Sequence, residues 1–183
     1  RSSRSSACFG IMPLSLPIIR LASSADLPEI LSIYNDAILH TTAVYDYEPH
    51  SLAMRQTWFA AKQAAGFPVL VADRAGHVTG FAALGAFRAW EAYRYTAETS
   101  IYVAPQSRRQ GLGKQLLAHL IEAAEAQEFH ALVAGIDADN TVSLDLHAKF
   151  GFQEVAHFHQ VGYKFDRWLD LKFMERLLPL APP

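Results

Sequence analysis

The stretch Glu98-Thr-Ser-Ile-Tyr-Val-Ala-Pro-Gln-Ser-Arg-Arg-Gln-Gly-Leu-Gly-Lys114 decides how this chain folds. It begins as a strand and stops at Pro105, because proline cannot extend a β ladder. A basic turn with Gly111 and Gly113 follows, and we expect a helix to open near Arg109. Glycines leave the free N–H groups of a helix start open to a ligand, and the helix dipole favours negative charge there. The stretch therefore predicts a strand that leads into an anion-binding turn.

Length and composition describe one ordinary globular domain. The chain has 183 residues, of which 51% are hydrophobic, so it can bury a sizeable core. Its net charge of −2 gives no basic footprint for nucleic acid. One cysteine, Cys8, excludes an internal disulfide and fits a reducing compartment, so we expect a cytoplasmic protein. No apolar run approaches the roughly 20 residues of a membrane helix, so no membrane partner is expected.

Both ends of the chain look separate from the domain. Residues 1–16 begin Arg-Ser-Ser-Arg-Ser-Ser, and their apolar run Phe9–Leu16 is short and interrupted by a proline. We therefore expect a disordered leader more than a signal peptide. The domain is predicted to span residues 17–178, with residues 179–183 as a tail.

The remaining pattern predicts the order β-α-α-β-β-β-α-β-α-β-β, from helical spacing of apolar residues and from strand-like runs between turns. The predicted strands are residues 18–21, 69–72, 78–84, 95–103, 131–136, 152–161 and 164–174. The predicted helices are residues 26–40, one capped by Ser51 and ending near Gly66, one from Arg109, and residues 141–150. The strand–helix–strand unit at 95–136 implies a parallel pair with a right-handed crossover, and the hairpins imply antiparallel pairs. The fold class is therefore a single mixed α/β domain.

The glycine turn carries a resemblance to a known family. Arg108-x-x-Gly111-x-Gly113 has neither the dinucleotide-binding spacing nor a Gly-Lys-Ser/Thr triplet, so Rossmann and P-loop folds are not indicated. Together with its strand, its helix, Asn140 and the later Gly151-Phe152, it resembles the acetyl-CoA motif of the GNAT N-acetyltransferase superfamily.

Three segments indicate a particular branch of this superfamily. The resemblance covers about residues 18–176. They resemble phosphinothricin N-acetyltransferases, above all the bacterial L-amino-acid branch that acts on methionine sulfone and methionine sulfoximine. The segments are Ala92-Tyr-Arg-Tyr-Thr-Ala-Glu-Thr-Ser-Ile-Tyr-Val103, Asn140-Thr-Val-Ser-Leu-Asp-Leu-His147 and Gly162-Tyr-Lys-Phe-Asp-Arg-Trp-Leu-Asp170.

The resemblance implies a splayed, mostly antiparallel sheet with flanking helices, a homodimer, and acetyl-CoA as the acetyl donor. The strands at 95–103 and 131–136 would separate, so that the pantetheine arm adds as a pseudo-strand. Lys149 is equally well explained as a solvated surface lysine. The implied cofactor-binding residues are Ile101, Tyr102, Val103, Arg109, Gln110, Gly111, Leu112, Gly113, Lys114, Asn140 and Lys149.

Glu98 and His147 are the catalytic candidates. Amide formation requires the acceptor ammonium to lose a proton, and burial can raise the pKa of a carboxylate until it suits that task. Glu98 falls on the catalytic glutamate of the family; the alternative is a salt bridge with Arg94. His147 stands where the phosphinothricin group has histidine and many superfamily members have tyrosine. Imidazole suits acid or base work, and a structural histidine is the alternative.

Substrate binding is expected from the loop before the catalytic strand. Arg88 can clamp a carboxylate with its guanidinium fork, or it is a surface-loop residue. The chain departs from the phosphinothricin pattern at Trp90, where those enzymes tend to carry a second basic residue. This aromatic suits a sulfone side chain and weakens the case for a phosphinate. Thr99 and Ser100 would add hydrogen bonds beside Glu98.

No metal is expected. His157 and His159 share one strand face, but no third ligand has a recognisable spacing, so a surface pair is favoured. Asp137 and Asp139 follow a strand and are interpreted as turn residues rather than magnesium ligands.

The predicted function is transfer of acetyl from acetyl-CoA to the α-amine of a small amino acid. Two alternatives stay open: acetylation of protein N-termini or polyamines, and a non-catalytic acyl-CoA-binding sensor. Trp90 and the long loop at 41–50 favour a small closed pocket. A sensor would keep the glycine turn but would not need Glu98.

Overall fold

The structure, a computed structural model, describes residues 16–179. Its strands are β1 (Ile18–Leu21), β2 (Val69–Arg74), β3 (His77–Ala86), β4 (Thr96–Val103), β5 (Ala131–Asp137), β6 (Gln153–Lys164) and β7 (Arg167–Leu177). Its helices are α1 (Leu27–His40), α2 (Leu52–Ala64), α3 (Leu112–Ala126) and α4 (Thr141–Lys149). Residues 1–15, which make up nearly all of the predicted leader, and residues 180–183 of the predicted tail lie outside this range.

The seven strands form one mixed sheet in the order β1-β2-β3-β4-β5-β7-β6. β4 and β5 are parallel and connected through α3, whereas the other neighbouring strands are antiparallel. The predicted element order and the parallel pair are therefore confirmed. Between residues 16 and 179, no helix combines the length and apolar character needed to cross a bilayer.

The boundaries differ most from the prediction at the start of α3 and in the last hairpin. α3 begins at Leu112 and not near Arg109, because Arg109 (φ 62°) and Gly111 (φ 78°) both lie in the left-handed region, far from helical φ. In the last hairpin, β6 is longer than predicted, with 12 residues, whereas β7 has the predicted 11 residues but begins later, at Arg167. They meet at Phe165 and Asp166, which both have positive φ and form the tight turn that suits the twist of a hairpin.

Helices cover the sheet on both faces. The predicted apolar stripe of α3 is buried on one face, where it packs with Ala97 of β4. α1 and α2 cover the other face, where Tyr102 of β4 packs with Phe81 and Phe59. Because side chains alternate along a strand, Glu98 and Ser100 point to the same side as Tyr102, toward α1 and α2. The stripe consists of Leu112, Leu116, Leu117, Leu120, Ile121 and Ala124.

β4 and β5 stay together for only a short distance. They pair at Thr96–Ala131, Ala97–Leu132 and Glu98–Val133, and then they diverge. On its other side, β4 remains paired with β3 as far as Val103. The end of β4 therefore has one free backbone edge inside the sheet, as the predicted splay requires.

Candidate active site

A cleft of about 430 Å³ opens where β4 and β5 diverge. It brings together residues from β4, from the first and last turns of α4, from α2 and from the loop between α1 and α2. The prediction from sequence named seven of its lining residues, from both the catalytic and the binding sets. These are Glu98, Thr99, Ser100, Ile101, Tyr102, Asn140 and His147.

Glu98 lies at the last paired position of β4, half-buried in this cleft. Burial raises the pKa of its carboxyl group, and the positive charges of Arg88 and Lys62 oppose that rise. A Cβ placed at Gly135 on β5 would lie 3.5 Å from Glu98 Oε1, so the missing side chain leaves the carboxylate open toward β5. Arg94 pairs with Glu91 at 3.4 Å, and no ion pair of Glu98 occurs within residues 16–179. The alternative of a structural Arg94 salt bridge is therefore not formed.

Lys62 of α2 is a cleft residue that the sequence analysis missed. Its Nζ donates to the carbonyl of Leu84 at 2.6 Å and lies over Gly85, where a Cβ would collide with it. Gly85 is opposite Glu98 in the sheet, so the ammonium and the carboxylate are neighbours. Burial lowers the pKa of the Lys62 ammonium. One signal was available: Lys62 lies three positions after the buried Phe59, on the same helical face.

His147 lies in α4 on the opposite wall of the cleft and is only 4% exposed. Its Nδ1 is 2.8 Å from the carbonyl oxygen of Ser143, and its ring meets the Phe152 ring edge-on. Because a carbonyl only accepts, Nδ1 must carry the proton, which leaves Nε2 as an acceptor in the neutral ring. Burial lowers the pKa of His147, so the neutral form is favoured at physiological pH.

The glycine turn lies beside the cleft, at the start of α3. Gly111 is the N-terminal cap residue, and the first helical bond runs from the Gln115 N–H to the Gly111 carbonyl. The N–H groups of Leu112, Gly113 and Lys114 therefore precede the first helical hydrogen bond and can receive an anion. Leu112 can contribute only its backbone, because its side chain is buried. Two exposed cations and one exposed amide accompany these groups: Arg109, Lys114 and Gln110.

Asn140 and Lys149 mark the two ends of α4. Asn140 lines the cleft, and its side-chain oxygen accepts from the Ser143 N–H at 3.2 Å, so it also caps the helix. Lys149 is exposed at the other end of α4 and does not line the cleft. The structure therefore brings Asn140 into the site and leaves the role of Lys149 a prediction.

Arg88 and Trp90 are not brought into the cleft. The Arg88 guanidinium lies over the Phe87 ring at 4.2 Å and donates to the Phe87 carbonyl at 2.8 Å. Its charge is nevertheless close enough to lower the pKa of Glu98. Trp90 is 71% exposed. Both residues therefore lie on a surface loop at the rim of the site.

A tyrosine from the loop between α1 and α2 also lines the cleft and was missed. The Tyr45 hydroxyl lies within hydrogen-bond distance of Asp137 Oδ2 (3.1 Å) and of the Asp170 carbonyl (3.2 Å). Asp137 also accepts from the Asp139 N–H at 2.9 Å, in agreement with the predicted turn. The long loop is thus tied to the strand ends that form the floor of the cleft.

The two strand histidines have a neighbour that their spacing did not indicate. Asp170 Oδ2, from β7, lies 2.9 Å from His157 Nε2 and 2.9 Å from His159 Nδ1. The Gln160 N–H donates to the other carboxylate oxygen, and together these groups lower the pKa of Asp170 to about 2. The fold therefore supplies the third potential metal ligand that the sequence analysis considered missing. The expectation that no metal binds stays a prediction.

Comparison with known proteins agrees with this architecture. An L-methionine sulfoximine/L-methionine sulfone acetyltransferase of Pseudomonas paraeruginosa is 51% identical, over 86% of this chain and 92% of its own. A phosphinothricin N-acetyltransferase of Alcaligenes faecalis is 38% identical, over 87% of this chain and 82% of its own. A Salmonella typhimurium acetyltransferase, solved with its cofactor acetyl-CoA, superposes with a TM-score of 0.90 at 43% identity, covering 92% of this chain and 98% of its own.

The family profile agrees as well. Residues 19–173 match the acetyltransferase (GNAT) domain, which is most of the chain. The predicted resemblance is confirmed, and the chain belongs to the GNAT acetyltransferase family.

Proposed function

We propose that this enzyme moves acetyl from acetyl-CoA to the α-amine of a small amino acid such as methionine sulfone, methionine sulfoximine or phosphinothricin. One observation carries the proposal: a half-buried carboxylate, Glu98, lies where the central strands diverge and a cleft opens. The names of the relatives support the class of acceptor.

Proton transfer begins with Glu98. We propose that its carboxylate takes a proton from the acceptor ammonium, directly or through water, and frees the lone pair for attack on the thioester carbonyl. The carbonyl oxygen becomes an oxyanion, which the free N–H groups near Ile101–Val103 stabilise. The attack forms the carbon–nitrogen bond, and collapse of the tetrahedral intermediate re-forms the carbonyl and breaks the carbon–sulfur bond. Of the two protons that leave the nitrogen, one ends on the CoA thiol. His147 assists through Nε2, which can accept a proton.

The donor and the acceptor are assigned to opposite sides of β4. The pantetheine arm pairs with the free edge of β4, and the pyrophosphate lies on the amides and cations of residues 109–114. Asn140 and Lys149 contact the rest of the cofactor. Arg88 takes the acceptor carboxylate, Trp90 contacts the acceptor at the rim of the site, and Ser100 hydrogen-bonds beside Glu98. Thr99 lines the cleft from the other face of β4, where its hydroxyl donates to the Val133 carbonyl at 3.3 Å.

An acceptor panel tests the proposal. Purified protein is assayed with acetyl-CoA against methionine sulfone, methionine sulfoximine, phosphinothricin, ordinary amino acids, spermidine and peptides. We expect the highest kcat/KM with the sulfone or the sulfoximine. Higher activity on peptides or spermidine would favour the alternative acceptors, and acetyl-CoA binding without any turnover would favour a sensor.

The pH profile should depend on Lys62. Glu98 must be ionised to act as a base, so kcat/KM falls as the pH drops through its pKa. The Lys62 charge lowers that pKa. Lys62→Met removes the charge, so the acid limb of the kcat/KM profile should move to higher pH. Lys172→Met, which changes a lysine paired with Glu154 on the surface, should leave the limb in place. An acid limb that does not move in Lys62→Met would contradict the effect of the Lys62 charge on the pKa of Glu98.

We further propose a homodimer. The β6–β7 hairpin lies at the edge of the sheet and exposes a row of apolar side chains, which supports a contact face. Light scattering should give about twice the chain mass of 20.3 kDa, and the mass of one chain would contradict the proposal. The row includes Val155, Phe158, Val161, Tyr163 and Trp168.

The remaining assignments follow the sequence. We propose that residues 17–178 form the catalytic domain, with residues 1–16 as a leader and 179–183 as a tail. We also propose a cytoplasmic location, which the single cysteine supports.

A further inference from the structure

A second cavity, of about 210 Å³, adjoins the cleft. The two share Ser100 and Tyr102 of β4, so the second cavity begins beside the proposed point of acetyl transfer. It lies on the side of the sheet covered by α1 and α2. Aromatic rings form most of its wall: Tyr34, Trp58, Phe81 and Tyr102.

Arg55 of α2 is the cation of this wall and is only 2% exposed. Its guanidinium lies 3.9 Å from the centre of the Tyr34 ring and 4.6 Å from that of Trp58. One Nη is 3.2 Å from His50 Nδ1, and Nε has no hydrogen-bond partner among the described residues. Within residues 16–179, no carboxylate forms an ion pair with Arg55.

The position of His50 is itself fixed. Its Nε2 is 3.0 Å from Asp46 Oδ2, so the carboxylate accepts from Nε2–H and Nδ1 is left to accept from Arg55. Asn35 holds the His50 backbone through two hydrogen bonds, of 2.8 and 2.9 Å. The guanidinium is therefore held in one orientation by groups that satisfy only part of its five N–H donors.

Burying the Arg55 guanidinium costs free energy unless an acceptor forms hydrogen bonds with its free N–H groups. A buried, unpaired polar donor loses its hydration without compensation, and the loss is larger when it is charged. Burial indeed lowers the pKa of Arg55. The two aromatic faces offset part of the cost, but Nε is still left without an acceptor among the described residues. An oxygen-bearing ligand in the adjacent cavity would supply one.

We propose that this cavity binds the side chain of the acceptor amino acid and that Arg55 recognises an oxygen at the end of that side chain. The inference rests on the proposed function and names the residue that selects among acceptors. The aromatic walls pack the methylene stem, and the guanidinium donates to a sulfone, sulfoximine or phosphinate oxygen. The α-carboxylate stays at the other end of the acceptor, near the Arg88 and Lys62 charges that surround Glu98.

Methionine is the matched control substrate, because it differs from methionine sulfone only by the two oxygens. It fills the same cavity but leaves the Arg55 donors unpaired. A charged donor to a neutral oxygen is worth roughly tenfold or more in kcat/KM. We therefore expect the wild type to prefer the sulfone over methionine by about that factor.

Arg55→Met tests the assignment. It should lower kcat/KM for methionine sulfone by about tenfold or more and change kcat/KM for methionine by less than about threefold. Both substrates are assayed on one preparation, so any loss of folded protein cancels from the ratio. Arg55→Lys, which keeps a charged donor, should restore part of the preference. Arg88→Ala is the comparison variant: it should raise KM equally for both substrates, because both carry the same carboxylate.

The ratio of kcat/KM for methionine sulfone to kcat/KM for methionine distinguishes the possible results. Equal loss on both substrates, or an unchanged ratio in Arg55→Met, would overturn the assignment and make Arg55 a structural residue. A wild type that acetylates both amino acids equally well would also overturn it. A wild type that acetylates neither would overturn the proposed function and this inference with it, and so gives a result distinct from the other two.

Discussion

Glu98→Gln should lower kcat by about 10²- to 10⁴-fold, the range typical of a lost general base. Glutamine keeps the size and one oxygen of the side chain, but it cannot take a proton from the acceptor ammonium. The backbone edge of β4 and the glycine turn, where the donor is proposed to bind, do not depend on the carboxylate. Acetyl-CoA affinity should therefore stay within about threefold of wild type, as measured by calorimetry.

The same substitution on the exposed face of α3, Glu122→Gln, is the matched control and should leave kcat unchanged. The kcat/KM profile of Glu98→Gln should also lose its acid limb, because the carboxyl group that titrates is no longer present. A variant with unchanged turnover would exclude Glu98 as the base. Lost turnover together with lost acetyl-CoA binding would point to a structural role instead.

Lys164→Met should lower the free energy of unfolding by about 3 kcal/mol. Lys164 is 3% exposed, although it is charged, and its Nζ donates to the carbonyls of Ile38 (2.6 Å), Thr41 (3.0 Å) and Val44 (2.6 Å). These carbonyls end α1 and begin the loop that brings Tyr45 to the cleft. Methionine fills similar space but leaves three acceptors without a donor.

The free energy of unfolding is measured by urea titration. The Tm should fall by roughly 6–12 °C for a chain of this size. Lys172→Met lies on the same hairpin and removes a surface pair with Glu154, so its cost should stay below about 1 kcal/mol. Equal stability of the two variants would mean that Lys164 does not hold the loop. Loss of activity in Lys164→Met at temperatures where it stays folded would indicate that the loop shapes the cleft.

The fold was largely predictable because its determinants are local. Apolar spacing located each helix and strand, and Pro105 ended β4 where expected. The start of α3 was misplaced by three residues, since nothing in the side chain of Arg109 announces its positive φ. The turn of the last hairpin was placed too early for a similar reason: it is formed by Phe165 and Asp166, and neither is the glycine that a two-residue turn with positive φ favours.

The site residues that are close together in the sequence could be predicted. The residues that only the fold brings together could not. Glu98 and Ser100 lie on β4, and the glycine turn comes directly after it. The family resemblance indicated their roles. Lys62 and Tyr45 line the cleft although they precede Glu98 by 36 and 53 residues, and their identity alone gives no chemical signal. The same holds for Asp170, which meets His157 and His159 only because β6 and β7 pair.

The early divergence of β4 and β5 also bears on how the protein avoids aggregation. A sheet normally has two edges, and proteins protect them because free N–H and C=O groups invite pairing with other chains. Here the divergence leaves two further edges inside the sheet, along the end of β4 and along β5 beyond Val133. Both edges face the cleft, which is also lined by residues of α2, of α4 and of the loop between α1 and α2. The backbone groups that can pair with a ligand thus lie inside the fold and not at the outer border of the sheet, where another chain would add.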